Sequence, residues 1–163
     1  MSHSQDHGRN TSAGVLDPSP VNVRIKLAGL WATTLFIFAY VDIFSFFRPD
    51  VRADIEAGQI SSFQIGEGFL LGTTVYILLP SLMVFGSLVL RPRLGRITHI
   101  TLAVVYGLTI IGGAIGEWAY YVLGSAVEVA LLGAIVYYAW TWPRLGATSV
   151  HVDRSSLVDP IDA

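Results

Sequence analysis

The sequence predicts an all-α integral membrane protein, a four-helix bundle made of two helical hairpins. The first observation is composition, since 53% of the 163 residues are hydrophobic and only 13% are charged. The second is a mean hydropathy of +0.59, which is too high for an ordinary soluble domain. The third is segregation: nearly all charged residues lie in the tails and three short connectors, which leaves four long apolar segments almost uncharged.

Four membrane-crossing helices are predicted within a domain at residues 22–143. A disordered N-terminal tail at 1–21 and a flexible C-terminal tail at 144–163 flank this domain, because both are polar and lack apolar periodicity. About 20 apolar residues are needed to cross the hydrocarbon core as a helix. The predicted spans that meet this requirement are 25–47, 68–90, 97–116 and 120–142.

Prolines and a glycine add detail to the first two spans and their connector. A short surface helix is predicted at 50–57, because Pro49 suits a first turn, Asp50 favours the positive end of the helix dipole and Gly58 can close the helix. The second span contains Pro80, which lacks a backbone N–H. In a bilayer the resulting break requires a hydrogen bond from a neighbouring helix or a buried water.

Both chain termini are expected to face the cytoplasm. Eight of the ten Lys and Arg residues lie in the N-terminal flank, the 91–96 loop and the C-terminal tail. Segments rich in these residues tend to stay on the cytoplasmic side. Tryptophan and tyrosine residues near the ends of the spans match the aromatic belts of membrane interfaces.

Small residues spaced four apart predict close contacts between helices. Such spacing lets two helix backbones approach each other, within one chain or between partners. A homo-oligomer or another membrane protein is therefore a possible partner beside the lipid bilayer. The residues concerned are Gly68 and Gly72, Gly112 and Gly116, Ala28 and Ala32, and the run Ala126, Ala130 and Ala134.

Each predicted span also brings a carboxylate toward the outer side of the membrane. Asp42 lies near the outer end of the first span, and Glu67 opens the second. Glu117 closes the third span, and Glu128 lies early in the fourth. Ionisable groups at membrane depth usually face the bundle interior, where they pair or serve a pathway. Together with Arg48, these acids form the candidate polar site, which we interpret as a site for a cation or a proton.

Two of the acids have an alternative, structural interpretation. Ser125 and Glu128 fit a capping box, in which Glu128 would only stabilise the start of a helix. Glu67 stands at the positive end of a helix dipole and can be solvated there. Neither role requires a ligand.

An ion-pair interpretation applies to the other acids. Arg48 and Arg52 are available as partners for Asp42 or Glu117. Asp42 is the hardest to explain structurally, because neither a cap nor a helix end accounts for it. The remaining titratable group inside a span, His99, stands alone near the inner end of the third span and is predicted to be interfacial.

Other chemistry has little support in the sequence. The chain has no cysteine, and no set of His, Asp and Glu residues has metal-ligand spacing. It has no glycine-rich phosphate loop and no basic run, and its formal net charge is −2. We therefore predict no catalytic residue, cofactor, metal or nucleic-acid partner, and an enzyme is the less expected class.

Three segments carry a resemblance to a known family. They are FAYVDIFSFFRP at 38–49, EGFLLGTTVYILLPSLMV at 67–84 and IGEWAYY at 115–121. They are similar to an uncharacterised family of small bacterial four-pass membrane proteins, and the resemblance covers residues 26–144. It implies a multi-pass protein of the bacterial cytoplasmic membrane, without an assigned activity or catalytic residues.

Three functions stay open at this point. The first is a structural or accessory membrane component that assembles through its small-residue faces. The second is a small transporter, or a cation- or proton-binding protein, that uses the outer carboxylates. The third is a membrane enzyme subunit that acts on a lipid or quinone, for which only the interfacial aromatic residues argue.

Overall fold

The fold is all-α, as the sequence predicts. A computed structural model describes residues 21–60 and 63–142, so the two predicted tails lie outside it apart from Val21. The described chain contains five helices and one pair of very short strands. They are α1 (Val23–Ser45), α2 (Pro49–Glu56), β1 (Gln59–Ile60), β2 (Phe63–Gln64), α3 (Glu67–Val89), α4 (Pro92–Gly113) and α5 (Ala119–Trp140).

Helices α1, α3, α4 and α5 are long and apolar enough to cross a membrane. They contain 22 or 23 residues each. At about 1.5 Å per residue this gives roughly 33–35 Å, which covers the hydrocarbon core. Many large hydrophobic side chains on these helices point outward, among them Phe36, Leu108 and Leu123. The chain is therefore a multi-pass membrane protein.

The four long helices pack against one another unequally. Helix α1 packs against both α3 and α5, and α4 packs mainly against α5, whereas α3 and α4 touch only slightly. The core is formed by Leu27 and Trp31 of α1, Tyr106 of α4, and Leu132 and Ile135 of α5, together with smaller neighbours. The core thus lies mainly between α1, α4 and α5.

Side-chain contacts define the two ends of this helix assembly. At one end Arg48, just after α1, pairs with Glu117, which lies between α4 and α5. We call this the Arg48 end. At the other end Arg24 in the first turn of α1 donates a hydrogen bond of 2.5 Å to the carbonyl oxygen of Leu88 near the end of α3. Arg96 in the first turns of α4 lies at this second end, which we call the Arg96 end.

Helix α4 differs from the predicted third span at both ends. It begins at Pro92, so most of the predicted 91–96 loop forms its first turns. Proline suits this position because its φ angle is fixed and its missing N–H has no partner there in any helix. The helix ends at Gly113, and Gly116 adopts a φ of 83° in the turn to α5. That left-handed conformation favours glycine.

The connector after α1 begins with the short helix α2. Pro49 is its first residue, and Asp50 lies in its first turn. Gly58 follows the helix with a φ of 75°, a conformation that ends the helix and that glycine adopts without strain. Strands β1 and β2 then pair in antiparallel fashion and form a small hairpin that no sequence pattern predicts. It returns the chain to α3 at the Arg48 end.

The break that Pro80 introduces into α3 is satisfied by a neighbouring helix. In a regular helix the N–H of residue 80 would bond to the carbonyl oxygen of Tyr76, and proline has no N–H. The hydroxyl of Tyr106 on α4 donates to this carbonyl oxygen instead. The Tyr76 hydroxyl lies 2.7 Å from the Thr109 hydroxyl, which itself donates to the Tyr106 carbonyl oxygen at 2.9 Å. These polar contacts join α3 to α4, although the two helices share little apolar surface.

Close helix contact occurs at a glycine outside the predicted small-residue pairs. A Cβ atom on Gly124 of α5 would overlap the side chain of Val41 on α1. A Cβ atom on Gly68, Gly72 or Gly112 would meet nothing within 4 Å in the part of the chain that is described. These three glycines therefore make no close helix contact within the described chain, and their contact with a partner stays a prediction.

Replacing Gly124 by alanine is expected to destabilise the protein by about 1–3 kcal/mol, because the added methyl group overlaps Val41 and overpacks the α1–α5 contact. Gly133 is the matched control, since it lies in the same helix and has open space at its Cβ position. Gly133→Ala should be neutral or slightly stabilising through its higher helix propensity. Thermal unfolding in detergent measures both variants. An unchanged unfolding midpoint for Gly124→Ala would contradict the close approach.

Candidate functional site

Arg48 organises the polar groups at the Arg48 end. Its guanidinium pairs with the Glu117 carboxylate and forms two hydrogen bonds with Asp50, at 2.6 and 3.2 Å. It also lies 4.8 Å from the centre of the Trp118 ring, a cation–π contact. The hydrogen bonds to Asp50 and then Glu117 raise the pKa of Arg48, and the Arg48 guanidinium lowers the pKa of Asp50. Arg48 therefore stays charged and links α1 and α2 to the turn before α5.

This arrangement gives Glu117 the ion-pair role that the sequence left open. Its side chain is 32% exposed and that of Arg48 only 11% exposed, so the pair is partly shielded from solvent. Asp42 forms no ion pair within residues 21–60 and 63–142. Of the two acids that Arg48 could neutralise, it therefore pairs with Glu117 and leaves Asp42 available.

Glu128 is buried in the core rather than placed at a helix start. Helix α5 begins at Ala119, with Trp118 as its N-cap residue, so Ser125 and Glu128 both lie inside the helix. The capping-box interpretation of this pair is therefore wrong. The Glu128 side chain faces the core, where the residue is 3% exposed. Its Oε1 atom has no hydrogen-bond partner among the described residues.

Asp42 is the acid that lies near Glu128. It follows Val41 of α1, whose side chain packs against Gly124 of α5, and Glu128 lies one helical turn after Gly124. Asp42 is exposed on the surface of the described chain, three residues before the end of α1. The structure thus places one exposed and one buried carboxyl group on the two helices of the α1–α5 contact.

Glu67 does not belong to this arrangement. It is the first residue of α3 and is exposed. The positive end of the helix dipole favours a negative charge there, so its position has a local explanation. The five predicted site residues therefore divide into an ion pair of Arg48 with Glu117, a carboxyl pair of Asp42 with Glu128, and an isolated Glu67.

His99 is buried and does not lie at the membrane interface, so the interfacial prediction for it is wrong. The residue is completely buried in α4, and its Nδ1 atom accepts a 2.9 Å hydrogen bond from the indole N–H of Trp31. Its Nε2 atom has no partner in the described part of the chain. A signal for this burial exists in the sequence, because His99 has the helical spacing of the buried residues Ala103, Tyr106 and Ile110.

The chemistry available at the carboxyl pair is proton or cation binding. An isolated carboxylate is costly to bury in an apolar interior, so a group such as Glu128 holds either a proton or a compensating cation. Within the described ranges, no cluster of three or more His, Cys, Asp or Glu residues could hold a metal ion. Ca²⁺ and Mg²⁺ take six or more oxygen ligands, whereas a proton binds a single carboxyl oxygen.

Comparison with known proteins gives a family but no relative of established activity. No curated protein and no solved structure matches the chain. A family model described as a family of unknown function matches residues 21–148, a range that includes every described helix. The expected resemblance to an uncharacterised family is thereby confirmed, and the chain belongs to the family of unknown function DUF6326.

Proposed function

We propose that this membrane protein is a small transporter that binds protons at Glu128, with Asp42 as the group through which protons reach it. The observation that carries the proposal is the burial of Glu128 in a membrane-spanning helix with one carboxyl oxygen unpaired among the described residues. An ionisable group inside the membrane is energetically unfavourable and commonly marks a proton or ion pathway. Asp42 is exposed and lies three residues before the end of α1, which makes it the entry point for protons in this proposal.

We place the protein in the bacterial cytoplasmic membrane with both termini in the cytoplasm. The distribution of Lys and Arg supports this orientation, because Arg24, Lys26, Arg93 and Arg96 lie at the Arg96 end. Asp42 and Glu128 would then belong to the outer half of the protein. Protons would enter Glu128 from the outside.

The other two functions have less support from the geometry. An accessory role would use exposed small-residue faces such as that of Gly68 and Gly72, which meet no other helix in the described chain. That role does not require a buried and unpaired carboxyl group. The enzyme function, acting on a lipid or quinone, is supported only by the interfacial aromatic residues.

Chemical labelling of Glu128 tests the proposal. Dicyclohexylcarbodiimide dissolves in membranes and modifies carboxyl groups in their protonated form. In purified protein reconstituted into phosphatidylcholine liposomes, we expect mass spectrometry to find the modification at Glu128 and to show that it declines as pH rises. Glu128→Gln should abolish it, and Glu67→Gln is the control that should leave it unchanged, since Glu67 is exposed and isolated from the pair.

Proton flux provides the functional part of the test. A potassium diffusion potential across the same liposomes should drive protons inward, as reported by a pH-sensitive dye trapped inside. Wild type and Glu67→Gln should conduct protons equally well, and Glu128→Gln should fall to the rate of empty liposomes. Wild-type flux in Glu128→Gln would refute the proposal. A stoichiometric membrane-protein partner in pull-downs, combined with absence of flux, would support the accessory role instead.

A further inference from the structure

His99 is a second buried titratable group, and the carboxyl site does not use it. The residue is 0% exposed in the described chain, and so is Trp31, whose indole N–H donates to Nδ1 of His99. The two ring centroids lie 6.3 Å apart with 28° between the ring planes, which fits a hydrogen bond between the ring edges. Trp31 needs a hydrogen-bond acceptor because a buried indole N–H is otherwise unpaired, and Nδ1 supplies it. This structural role accounts for one nitrogen of His99 and leaves the other unexplained.

The hydrogen bond from Trp31 determines which nitrogen of His99 carries the proton. An atom that accepts a hydrogen bond cannot itself be protonated, so the neutral ring carries its proton on Nε2. That Nε2–H group is buried and has no acceptor in residues 21–60 and 63–142. A buried donor without a partner is unfavourable by about 1–3 kcal/mol and calls for a partner such as an internal water.

The surroundings of His99 separate it from the carboxyl pair. Trp31 of α1 donates a hydrogen bond to it, Arg96 precedes it by three residues in α4, and no ion pair of the described residues includes it. Counted along the helices, His99 lies seven residues after Pro92 and Glu128 nine residues after Ala119. At about 1.5 Å per residue, the two groups lie roughly 10 and 13 Å from opposite ends. They therefore occupy opposite halves of the membrane-spanning region on two helices that pack together.

We propose that His99 is a second proton-exchange site that acts in series with Glu128, and that Trp31 gates it. The inference rests on the proposed function, since it adds the site in the Arg96 half that proton transfer across the membrane would require. An imidazole passes a proton by accepting one on one nitrogen and releasing one from the other. Here the incoming proton would bind Nδ1 after the Trp31 N–H turns away, and Nε2 would release its own proton to a water molecule.

Space for this movement exists beside the Trp31 ring. A cavity of about 20 Å³ borders Trp31, Phe38, Tyr76 and Tyr106. This volume is about enough for one water molecule, so it permits a small displacement of the indole without opening the core. The Trp31 ring is otherwise held by its bond to His99 and by an edge-to-face contact with Tyr106, with centroids 6.4 Å apart.

His99→Gln tests the inference with a conservative change. A glutamine side chain offers an acceptor oxygen to Trp31 and a donor N–H, but it cannot exchange protons at neutral pH. We expect proton flux to fall about 100-fold or more, the lower range of what a positioned proton-transfer group contributes. Carbodiimide labelling of Glu128 should persist, which shows that the fold and the first site are intact. Flux within a factor of about two of wild type, at a rate well above empty liposomes, would overturn the role of His99.

Trp31→Phe is a second test variant. If Trp31 had only a structural role, this change would not raise proton flux. It retains an aromatic ring and releases Nδ1, so flux should rise roughly 2- to 10-fold, the factor by which an ordinary hydrogen bond biases an equilibrium. Loss of flux in a variant that still labels at Glu128 would contradict the gate. Failure of wild-type Glu128 to label would instead refute the proposed function, so the two failures can be distinguished.

Discussion

Replacing Tyr106 by phenylalanine is expected to lower the free energy of unfolding by about 1–3 kcal/mol, because the carbonyl oxygen of Tyr76 then has no hydrogen-bond donor. Pro80 cannot supply one, and water is scarce in the hydrocarbon region. The phenylalanine ring still fills the core beside Trp31, so little packing is lost. Denaturant unfolding of the purified protein in detergent measures the change.

A double-mutant cycle identifies the cause of this loss. Pro80→Ala restores a backbone N–H at position 80, which can bond to the Tyr76 carbonyl oxygen within the helix. In the Pro80→Ala background, Tyr106→Phe should lower the free energy of unfolding by clearly less than in wild type. The difference between the two losses is the coupling energy between positions 80 and 106. Tyr76→Phe is the control, since it removes a hydroxyl bond to Thr109 and leaves the backbone carbonyl unaffected. Equal losses for Tyr106→Phe in both backgrounds would show that the hydroxyl has another role.

The need for this bond could be predicted from the sequence, but its donor could not. Pro80 lies in an apolar segment, and the absence of an N–H in a bilayer implies a compensating donor. Several hydroxyl groups in the other spans were equally suitable on sequence grounds. The choice of Tyr106 depends on how α3 and α4 are rotated about their axes, which local sequence does not determine.

The same limit explains why the candidate site was only partly predicted. Membrane helices are apolar on all sides, so hydropathy locates each helix but does not say which face points inward. Ser125 and Glu128 therefore fit a capping box in the sequence. In the structure α5 begins at Ala119, so both residues lie inside the helix and are buried in the core. Likewise, the sequence allows Arg48 to pair with either Asp42 or Glu117. In the structure the turn before α5 lies close to Arg48, so Arg48 pairs with Glu117.

Sequence patterns also do not show where the backbones of two helices come close together. Spacing of small residues predicted contacts at Gly68 and Gly72, and both glycines face open space in the described chain. Gly124 makes the close contact with Val41, although it has no small residue four positions away in either direction. A small-residue pair shows that two helices can approach closely, and the packing of α1 on α5 decides where they do.

Glu128→Leu is expected to raise the free energy of unfolding by about 1–3 kcal/mol, since leucine has a similar size and removes a buried polar group whose Oε1 atom is unpaired. The same change should abolish proton flux and carbodiimide labelling. Stability would then increase as function is lost, which is typical of a site whose burial serves activity.

Comparison with Glu128→Gln and Asp42→Leu shows whether this gain arises from the buried polar group. Glutamine keeps polar atoms in the core and should gain less stability than leucine. Asp42 is exposed, so Asp42→Leu should change the free energy of unfolding by less than about 0.5 kcal/mol. Thermal and denaturant unfolding in one detergent place the three variants on a common scale. A destabilised Glu128→Leu would mean that the carboxyl group holds the helices together, and Glu128 would then have a structural role instead of binding protons.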